Sequence, residues 1–250
     1  MKQLLKVSLF SGGNGELLSW NLEKPGKKGG SEFSMLHRDH FKNLFSIAAW
    51  DGVAYTIGQD RALIATHLDT GRQMYALPTF AGFVYCLASN PVDPSLVAIG
   101  AGDSQIRVWR TASQQLFDIT NIHAKLNQAK VMSLAWHPSR EGLLAFGTDE
   151  GRPAGRSQVL WVERGEVKLL LLGCDDGSVE VYRVPDLVQV ATIKSHTKLI
   201  QSISLHPEFM VDGKEASKES SMLLACASNE YGIHIHDLGA VFELAPNVTS

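Results

Sequence analysis

The feature that most constrains this chain is a turn motif that recurs after short apolar runs. An acidic or amide residue marks the turn at six places, which are Asn14, Asp60, Asp103, Asp149, Asp176 and Glu230. The separations between successive marks are 46, 43, 46, 27 and 54 residues. Such a repeat indicates one supersecondary unit used several times, because a unit of this size cannot bury its apolar face alone.

One unit shows its internal pattern clearly. Residues 83–88 alternate as a first strand, 96–100 form a second, 105–109 a third and 115–119 a fourth, with Asp103 in the turn between the second and third. Period-two alternation between turn residues predicts antiparallel strands. Four short strands in each unit of about 40–45 residues are typical of a β-propeller, so the sequence predicts an all-β fold.

Two intervals depart from the period. The 54-residue step contains a polar insertion at residues 210–221, which we predict to be a surface loop. The 27-residue step is too short for a whole unit, and we predict an irregular junction at residues 150–158 where the third and fourth strands are missing. The chain then supplies about five to six blade equivalents, in one incomplete propeller or in parts of two adjoining ones. Because Met1 falls within a unit, we expect a fragment or an internally shortened product.

Charge and cysteine content exclude several classes of protein. The 250 residues carry 23 Lys and Arg against 26 Asp and Glu, a net charge of −3, which argues against a broad basic coat for nucleic acid but not against a local site. Three cysteines, far apart in the sequence, predict neither a disulfide framework nor a zinc ligand set. The longest apolar run falls far short of the roughly 20 residues that span a bilayer, so no membrane association is predicted.

The motifs do not favour catalysis, a cofactor or a bound metal ion. His234 and His236 share one face of a strand, but two ligands without a third acid or thiol nearby are weak evidence for a metal, and a polar edge strand explains them better. The segment Gly100–Ser104 lacks the lysine and the following helix of a phosphate loop. We find no nucleophile elbow or spaced triad. We therefore expect a protein that is not an enzyme and has no small-molecule substrate.

The spacing from the turn acid to the end of the third strand resembles the Trp-Asp ending of WD repeats. It is six residues from Asp103 to Trp109 and from Asp176 to Tyr182. In that family a turn Asp, a loop His, a second-strand Ser or Thr and the third-strand Trp form a hydrogen-bonded set, which stabilises the blade without doing chemistry. His196 fits the loop histidine. Since most units lack a complete set, the repeats are divergent.

Longer stretches are similar to one family of WD-repeat proteins, gemin-five. They cover residues 11–22, 82–87, 131–138, 141–151 and 177–187 in consistent order. The resemblance implies a subunit of the survival-motor-neuron complex that recognises the Sm site and the cap of small nuclear RNA for spliceosomal ribonucleoprotein assembly. It also implies an association with ribosomes and a location in the cytoplasm and in nuclear bodies.

The resemblance further implies which residues contact RNA. Aromatic contacts at the start of a first strand correspond to Phe83 and Tyr85, and basic contacts correspond to Arg61 and to Lys42, where the family more often has arginine. Stacking a base on such a ring is worth roughly 1–3 kcal/mol. Taken from the residues alone, Phe83 and Tyr85 face one side of a strand and have the alternative of packing in the sheet core. The alternative function is a WD-repeat platform for protein–protein interaction without direct RNA contact.

Overall fold

The computed structural model describes residues 8–25, 31–50, 52–79, 83–111, 115–118, 130–149, 158–205 and 222–244. These residues form mostly β-strands, in antiparallel sheets whose strands follow chain order. The chain divides into two compact units, one of Met1–Ser89 with Pro94–Ala124 and one of Asn90–Asp93 with Lys125–Ser250. In the part of the chain that is described, no helix is long and apolar enough to cross a membrane.

The first unit contains three sheets in its described residues. The first sheet consists of β1 (Ser8–Gly13), β2 (Glu16–Pro25) and β3 (Ser31–His37). The second consists of β4 (Leu44–Trp50), β5 (Val53–Gly58), β6 (Ala62–His67) and β7 (Gln73–Pro78). The third consists of β8 (Val84–Ser89), β9 (Leu96–Ala101), β10 (Ile106–Arg110) and β11 (Gln115–Asp118). Every strand pairs with its neighbour in the sequence, as in a propeller blade.

The second unit also shows three sheets among its described residues, followed by a helix. The first sheet consists of β12 (Val131–Trp136) and β13 (Leu144–Thr148). The second consists of β14 (Gln158–Arg164), β15 (Val167–Gly173), β16 (Ser178–Arg183) and β17 (Val188–Lys194). The third consists of β18 (Ile200–Leu205), β19 (Leu223–Ser228) and β20 (Ile233–Asp237). The helix is α1 (Gly239–Leu244).

The predicted four-stranded unit is confirmed. The strands predicted from residues 83–119 are β8 to β11, with boundaries that differ by no more than one residue. Differences of this size are usual at strand ends. The turn acid Asp103 lies between β9 and β10, as the period requires. Local pairing within each unit therefore follows from the alternation and the turn residues that the sequence already shows.

The short 27-residue step coincides with a two-stranded sheet. Within the described residues, β12 and β13 have no third or fourth strand beside them, and Gln158 already begins the next sheet. The predicted junction at 150–158 lies outside the described residues except for Gln158, and the predicted insertion at 210–221 lies outside them entirely. Both stay predictions.

The core of the first unit lies between its second and third sheets. Tyr55 and Ile57 of β5 pack against Ile99 of β9 and Trp109 of β10, and none of the four is more than 5% exposed. The Trp109 ring has the rings of Tyr55 and Tyr75 edge-on, at centroid distances of 5.9 and 6.1 Å. Burying an apolar side chain of this kind contributes about 1.5–3 kcal/mol, so packing between sheets stabilises the unit.

The second unit repeats this arrangement. Leu171 of β15 and Val179 and Val181 of β16 pack against Ile200 of β18 and Leu224 of β19, and all five are 0% exposed. The equivalent faces of successive sheets are thus buried against each other in both units. This is the packing that a repeated unit needs, because one sheet alone cannot cover its own apolar face.

The helix α1 is a feature that the sequence analysis did not predict. It starts after Asp237, whose carboxylate accepts a hydrogen bond from the backbone N of Gly239 at 2.8 Å. It buries Val241 and Phe242, and the guanidinium of Arg164 lies 5.9 Å from the centroid of the Phe242 ring. Six residues are too few to show a helical period in the sequence, and a helix this short depends on its packing.

Candidate nucleic-acid interface

The candidate site is built on the turn between β5 and β6. The turn acid Asp60 has a side chain that is 1% exposed. Its carboxylate lies 3.0 Å from Nδ1 of His40, and Nε2 of the same ring lies 2.9 Å from Oγ1 of Thr56. A turn acid, a loop histidine and a second-strand threonine are therefore joined in one buried network, as the resemblance to WD repeats implies. The sequence analysis identified Asp60 but did not identify His40 or Thr56.

Asp60 also fixes the backbone on both sides of the site. Its carboxylate accepts hydrogen bonds from the backbone N of Phe41 and of Ala62, each at 3.2 Å. Lys42 follows Phe41, and Arg61 precedes Ala62. Because hydrogen bonds to an ionised carboxylate are strong, one buried side chain positions both segments that carry the predicted basic residues.

Arg61 and Phe83, which the sequence predicts to contact RNA, lie against each other. The guanidinium carbon of Arg61 is 5.8 Å from the centroid of the Phe83 ring. The Arg61 backbone has a φ of 62°, and its carbonyl accepts hydrogen bonds from N and Oγ1 of Thr79, both at 3.0 Å. Phe83 is 44% exposed. The alternative that Phe83 packs in the sheet core is therefore wrong, and its ring is available at the surface.

Two β-bulges, one in each of the same two sheets, present a second pair of aromatic rings. The pairing register shifts across Phe45 in β4 and across Tyr85 in β8. A bulge leaves one residue out of the ladder and redirects its side chain. The two bulged residues stack on each other, with ring centroids 6.1 Å apart and planes inclined by 21°. Phe45 is 42% exposed and Tyr85 is half-buried.

Phe45 is a surface residue that the sequence analysis missed. The signal was available, because Leu-Phe-Ser-Ile at residues 44–47 aligns with Val-Tyr-Cys-Leu at residues 84–87 as the start of a first strand. The same register shift recurs across Met132 in β12 and across Gln201 in β18. Aligning the first strands with one another would therefore have placed Phe45 beside Tyr85.

The four predicted residues, Lys42, Arg61, Phe83 and Tyr85, all lie in the first unit. Lys42 is exposed, next to Phe41, whose side chain is 79% exposed. A hydrogen bond of 2.8 Å from the backbone N of Gln59 to the carbonyl of Asn43 ties this loop to the turn that carries Arg61. Cationic side chains beside exposed rings are the composition that surfaces for single-stranded nucleic acid use.

The predicted loop histidine His196 has the expected role in the second unit. Its Nδ1 lies 3.2 Å from the carboxylate of the turn acid Glu230. Its Nε2 lies 3.2 Å from the backbone carbonyl of Cys226, because a cysteine stands where the first unit has a threonine. Hydrogen bonds from Thr197 lower the pKa of Glu230, and the His196 ring adds to this shift. A Cβ on Gly177 would lie 2.2 Å from the His196 carbonyl oxygen, so this loop requires glycine in the preceding turn.

Neither the second nor the third sheet of the first unit has the complete WD-type set. The second sheet has the acid, the histidine and the threonine, and the third sheet has the tryptophan. In β6, Thr66 occupies the tryptophan position, and its buried Oγ1 has no hydrogen-bond partner among the described residues. In β10, Trp109 is present, but its indole N–H finds no partner in the described part of the chain, and Ile99 stands where a serine or threonine would accept from it. The turn acid Asp103 has no histidine beside it among the described residues and instead accepts hydrogen bonds from the guanidinium of Arg107, at 3.1 and 2.5 Å. The predicted divergence of the repeats is thus visible in their hydrogen bonds.

His234 and His236 lie near the loop histidine. The His234 ring stacks on His196 with centroids 3.9 Å apart and planes inclined by 10°, and Nε2 of His236 lies 2.9 Å from Oγ of Ser195. Burial lowers the pKa of His236, and the two neighbouring histidines lower it further. Over the described ranges, no group of three or more His, Cys, Asp or Glu side chains is arranged to hold a metal ion.

Comparisons with known proteins agree with the repeat. The model "WD domain, G-beta repeat" matches residues 71–110, and the model "Anaphase-promoting complex subunit 4 WD40 domain" matches residues 92–157. Over 93% of its length, the chain is 27% identical to Gem-associated protein 5 from Homo sapiens and 30% identical to that from Mus musculus. This chain is a gemin-five-like WD-repeat protein. The gemin-five-like chain spans 21% of the length of these relatives.

The alignments with these relatives contain gaps in this chain. They extend over 323 positions, more than the 250 residues of the gemin-five-like chain, so the relatives carry internal segments that this chain lacks. A more distant match is Coronin-7 from Pongo abelii, which is 28% identical over 124 residues, 47% of this chain and 13% of that protein.

A solved structure supports the architecture. The gemin-five-like chain superimposes on a chain in a crystal structure of the mitotic checkpoint complex with a TM-score of 0.69 and 17% identity, covering 91% of this chain and 70% of that one. At this identity the likeness shows the fold alone. Together with the WD models and the two- and three-stranded sheets among the described residues, it confirms the prediction of an all-β, incomplete WD-repeat β-propeller.

Proposed function

We propose that this chain is a non-enzymatic, RNA-binding WD-repeat scaffold that recognises small nuclear RNA, at its Sm site and cap, for spliceosomal ribonucleoprotein assembly. Its proposed partners are proteins of the survival-motor-neuron complex and, in a second setting, the ribosome. Its proposed locations are the cytoplasm and the nucleus. The similarity to Gem-associated protein 5 over 93% of the chain supports this family context.

The observation that carries the RNA proposal is the contact between Arg61 and the exposed ring of Phe83. Every base has a π-face that can stack on an aromatic ring, and an arginine beside that ring adds a cation for phosphate or base. Single-stranded, uridine-rich RNA suits such a surface, because its unpaired bases are free to stack. The stacked rings of Phe45 and Tyr85 enlarge the aromatic area on the same unit.

The electrostatics predict a modest dependence on salt. The net charge is −3, so the attraction must come from local cations, of which Lys42 and Arg61 are exposed at the site. Each phosphate contact to a single strand contributes about −0.7 to the slope of log K against log salt concentration, so two contacts give a slope of about −1.4. A much steeper slope would indicate nonspecific binding over a larger surface.

The test compares a capped, uridine-rich RNA with a scrambled RNA of the same length by fluorescence anisotropy. We expect the purified chain to prefer the first, and Phe83→Ala, Tyr85→Ala and Arg61→Ala each to weaken its binding about 5- to 150-fold, the range of one stacked base. Arg72→Ala is the matched control, because Arg72 is also an exposed arginine in a turn of the second sheet. Equal binding of both RNAs, unchanged by the site substitutions, would refute the proposal.

The second candidate is a protein-interaction platform without RNA contact. The observation that favours it is an exposed apolar patch on and before β20, where Ile233 and Ile235 are 66% and 57% exposed and Tyr231 is fully exposed. Large exposed apolar side chains that lie together are typical of protein-binding surfaces. If RNA binding fails while purified proteins of the survival-motor-neuron complex bind the wild type but not Ile233→Lys with Ile235→Lys, this candidate holds instead.

A further inference from the structure

We infer that Phe45 and Tyr85 form a second base-stacking platform beside Arg61 and Phe83, so that the surface takes at least two consecutive unpaired bases. The inference rests on the proposed RNA-binding function and adds to it a residue, Phe45, and a minimum length of the bound strand. It is carried by the ring geometry at the two bulges and by the exposure of the rings.

The exposure of these rings differs from that of other aromatic side chains in the described part of the first unit. Tyr55 and Trp109 are at most 5% exposed, and Tyr75 is half-buried. The exposed phenylalanines among the described residues are Phe41, Phe45 and Phe83, all in the first unit. Leaving apolar area in water costs about 25 cal/mol for each Å², so three exposed rings in one unit indicate a surface that is covered by a ligand.

The bulges determine where the second platform points. In a regular ladder, Phe45 would pair with a residue of β5 and Tyr85 with a residue of β9. The register shifts instead leave both residues outside the pairing. A hydrogen bond of 3.2 Å from the backbone N of Leu87 to Oγ of Ser46 ties β8 to β4 next to the two rings. The pair is therefore held by the backbone of both strands. Such preorganisation lowers the entropy that binding must overcome.

The ring separation decides how a base can bind. At a centroid distance of 6.1 Å and an inclination of 21°, the rings of Phe45 and Tyr85 already stack on each other in an offset arrangement. A base then adds to an outer face of the pair instead of entering between the rings. Phe45 has the more exposed ring, so we expect the base to stack on Phe45.

The two platforms are adjacent along the chain, because Phe83 and Tyr85 are two residues apart. One platform contains Phe83 with Arg61 above it, and the other contains Tyr85 with Phe45. Successive bases of a single strand stack on successive aromatic side chains in this way. Double-stranded RNA cannot bind so, since its bases are already paired and stacked.

The test measures anisotropy of a labelled single-stranded oligouridine, the same oligomer with one internal abasic site, and its duplex with oligoadenosine. We expect Phe45→Ala to weaken binding of the intact single strand about tenfold, corresponding to one lost stack. The same substitution should change binding of the abasic strand much less, because the base that would stack is already missing. Phe45→Tyr should retain affinity, and Tyr231→Ala, which removes a fully exposed ring from another sheet, should have no effect.

The outcomes separate the inference from the proposed function. If Phe83→Ala weakens binding and Phe45→Ala does not, the inference is overturned while the RNA-binding function stands. If Phe45→Ala weakens the intact and the abasic strands equally, Phe45 supports the fold of the site without stacking on a base, and the inference is again overturned. If neither substitution matters, the function and the inference fail together.

Discussion

Replacing Asp60 by alanine should destabilise the first unit severely. The carboxylate is 1% exposed and accepts hydrogen bonds from His40 Nδ1 at 3.0 Å and from the backbone N of Phe41 and of Ala62 at 3.2 Å. Each hydrogen bond to a charged group is worth about 1.5–3 kcal/mol, but the N–H of Phe41 is near solvent and can bind water after the substitution. The His40 ring is 0% exposed, so its nitrogen cannot bind water in place of the lost carboxylate. We therefore expect a loss of about 3–5 kcal/mol, much of the total stability of a typical domain.

Equilibrium unfolding in urea measures this loss. Asp69→Ala is the matched control, because Asp69 is an exposed acid in a turn of the same sheet, and its replacement should change the free energy of unfolding by less than about 0.5 kcal/mol. The variant Asp60→Asn keeps one carbonyl acceptor, so its stability should lie between those of Asp60→Ala and Asp69→Ala, with a loss of about 1–2 kcal/mol. If Asp60→Ala is no less stable than Asp69→Ala, the buried network does not stabilise the unit and the reasoning is wrong.

Three further predictions concern the second unit. Gly177→Ala places a Cβ 2.2 Å from a backbone carbonyl oxygen at a φ of +84° and should cost more than about 3 kcal/mol in urea unfolding, whereas Gly165→Ala, at a φ of +57° with open space around it, should cost about 1 kcal/mol. Val181 and Ile235 lie five residues after their turn acids, but Val181 is 0% exposed and Ile235 is 57% exposed. Replacement by alanine should therefore cost about 2 kcal/mol at Val181 and less than about 0.5 kcal/mol at Ile235, and equal losses would contradict this difference in burial. Burial lowers the pKa of His236 below its ordinary 6.5, so the unfolded state binds the proton more tightly than the folded state. The free energy of unfolding should therefore fall as the pH drops below about 6.5. The variant His236→Gln should flatten this dependence on pH, and an unchanged dependence would exclude His236 as its cause.

The sequence alone was sufficient for the pairing of strands within each described sheet. Strand alternation and turn residues act between neighbours in the chain, and every sheet among the described residues is formed by neighbours in the chain. The strands β8 to β11 could therefore be placed within a residue, whereas the irregular junction at residues 150–158 stays a prediction. The helix α1 could not be predicted, because its residues take up a helix through packing of Val241 and Phe242 and not through a period of their own.

The candidate site needed the tertiary structure. The sequence and the family resemblance indicated Lys42, Arg61, Phe83 and Tyr85, but they left open whether Phe83 was core or surface, since alternation in a strand does not say which face is covered. The exposure of Phe83, its contact with Arg61 and the pairing of Tyr85 with Phe45 depend on two bulges and on one buried carboxylate that joins loops far apart in the chain. Local propensity determines which strands form, whereas contacts between residues distant in sequence determine which side chains meet at the surface.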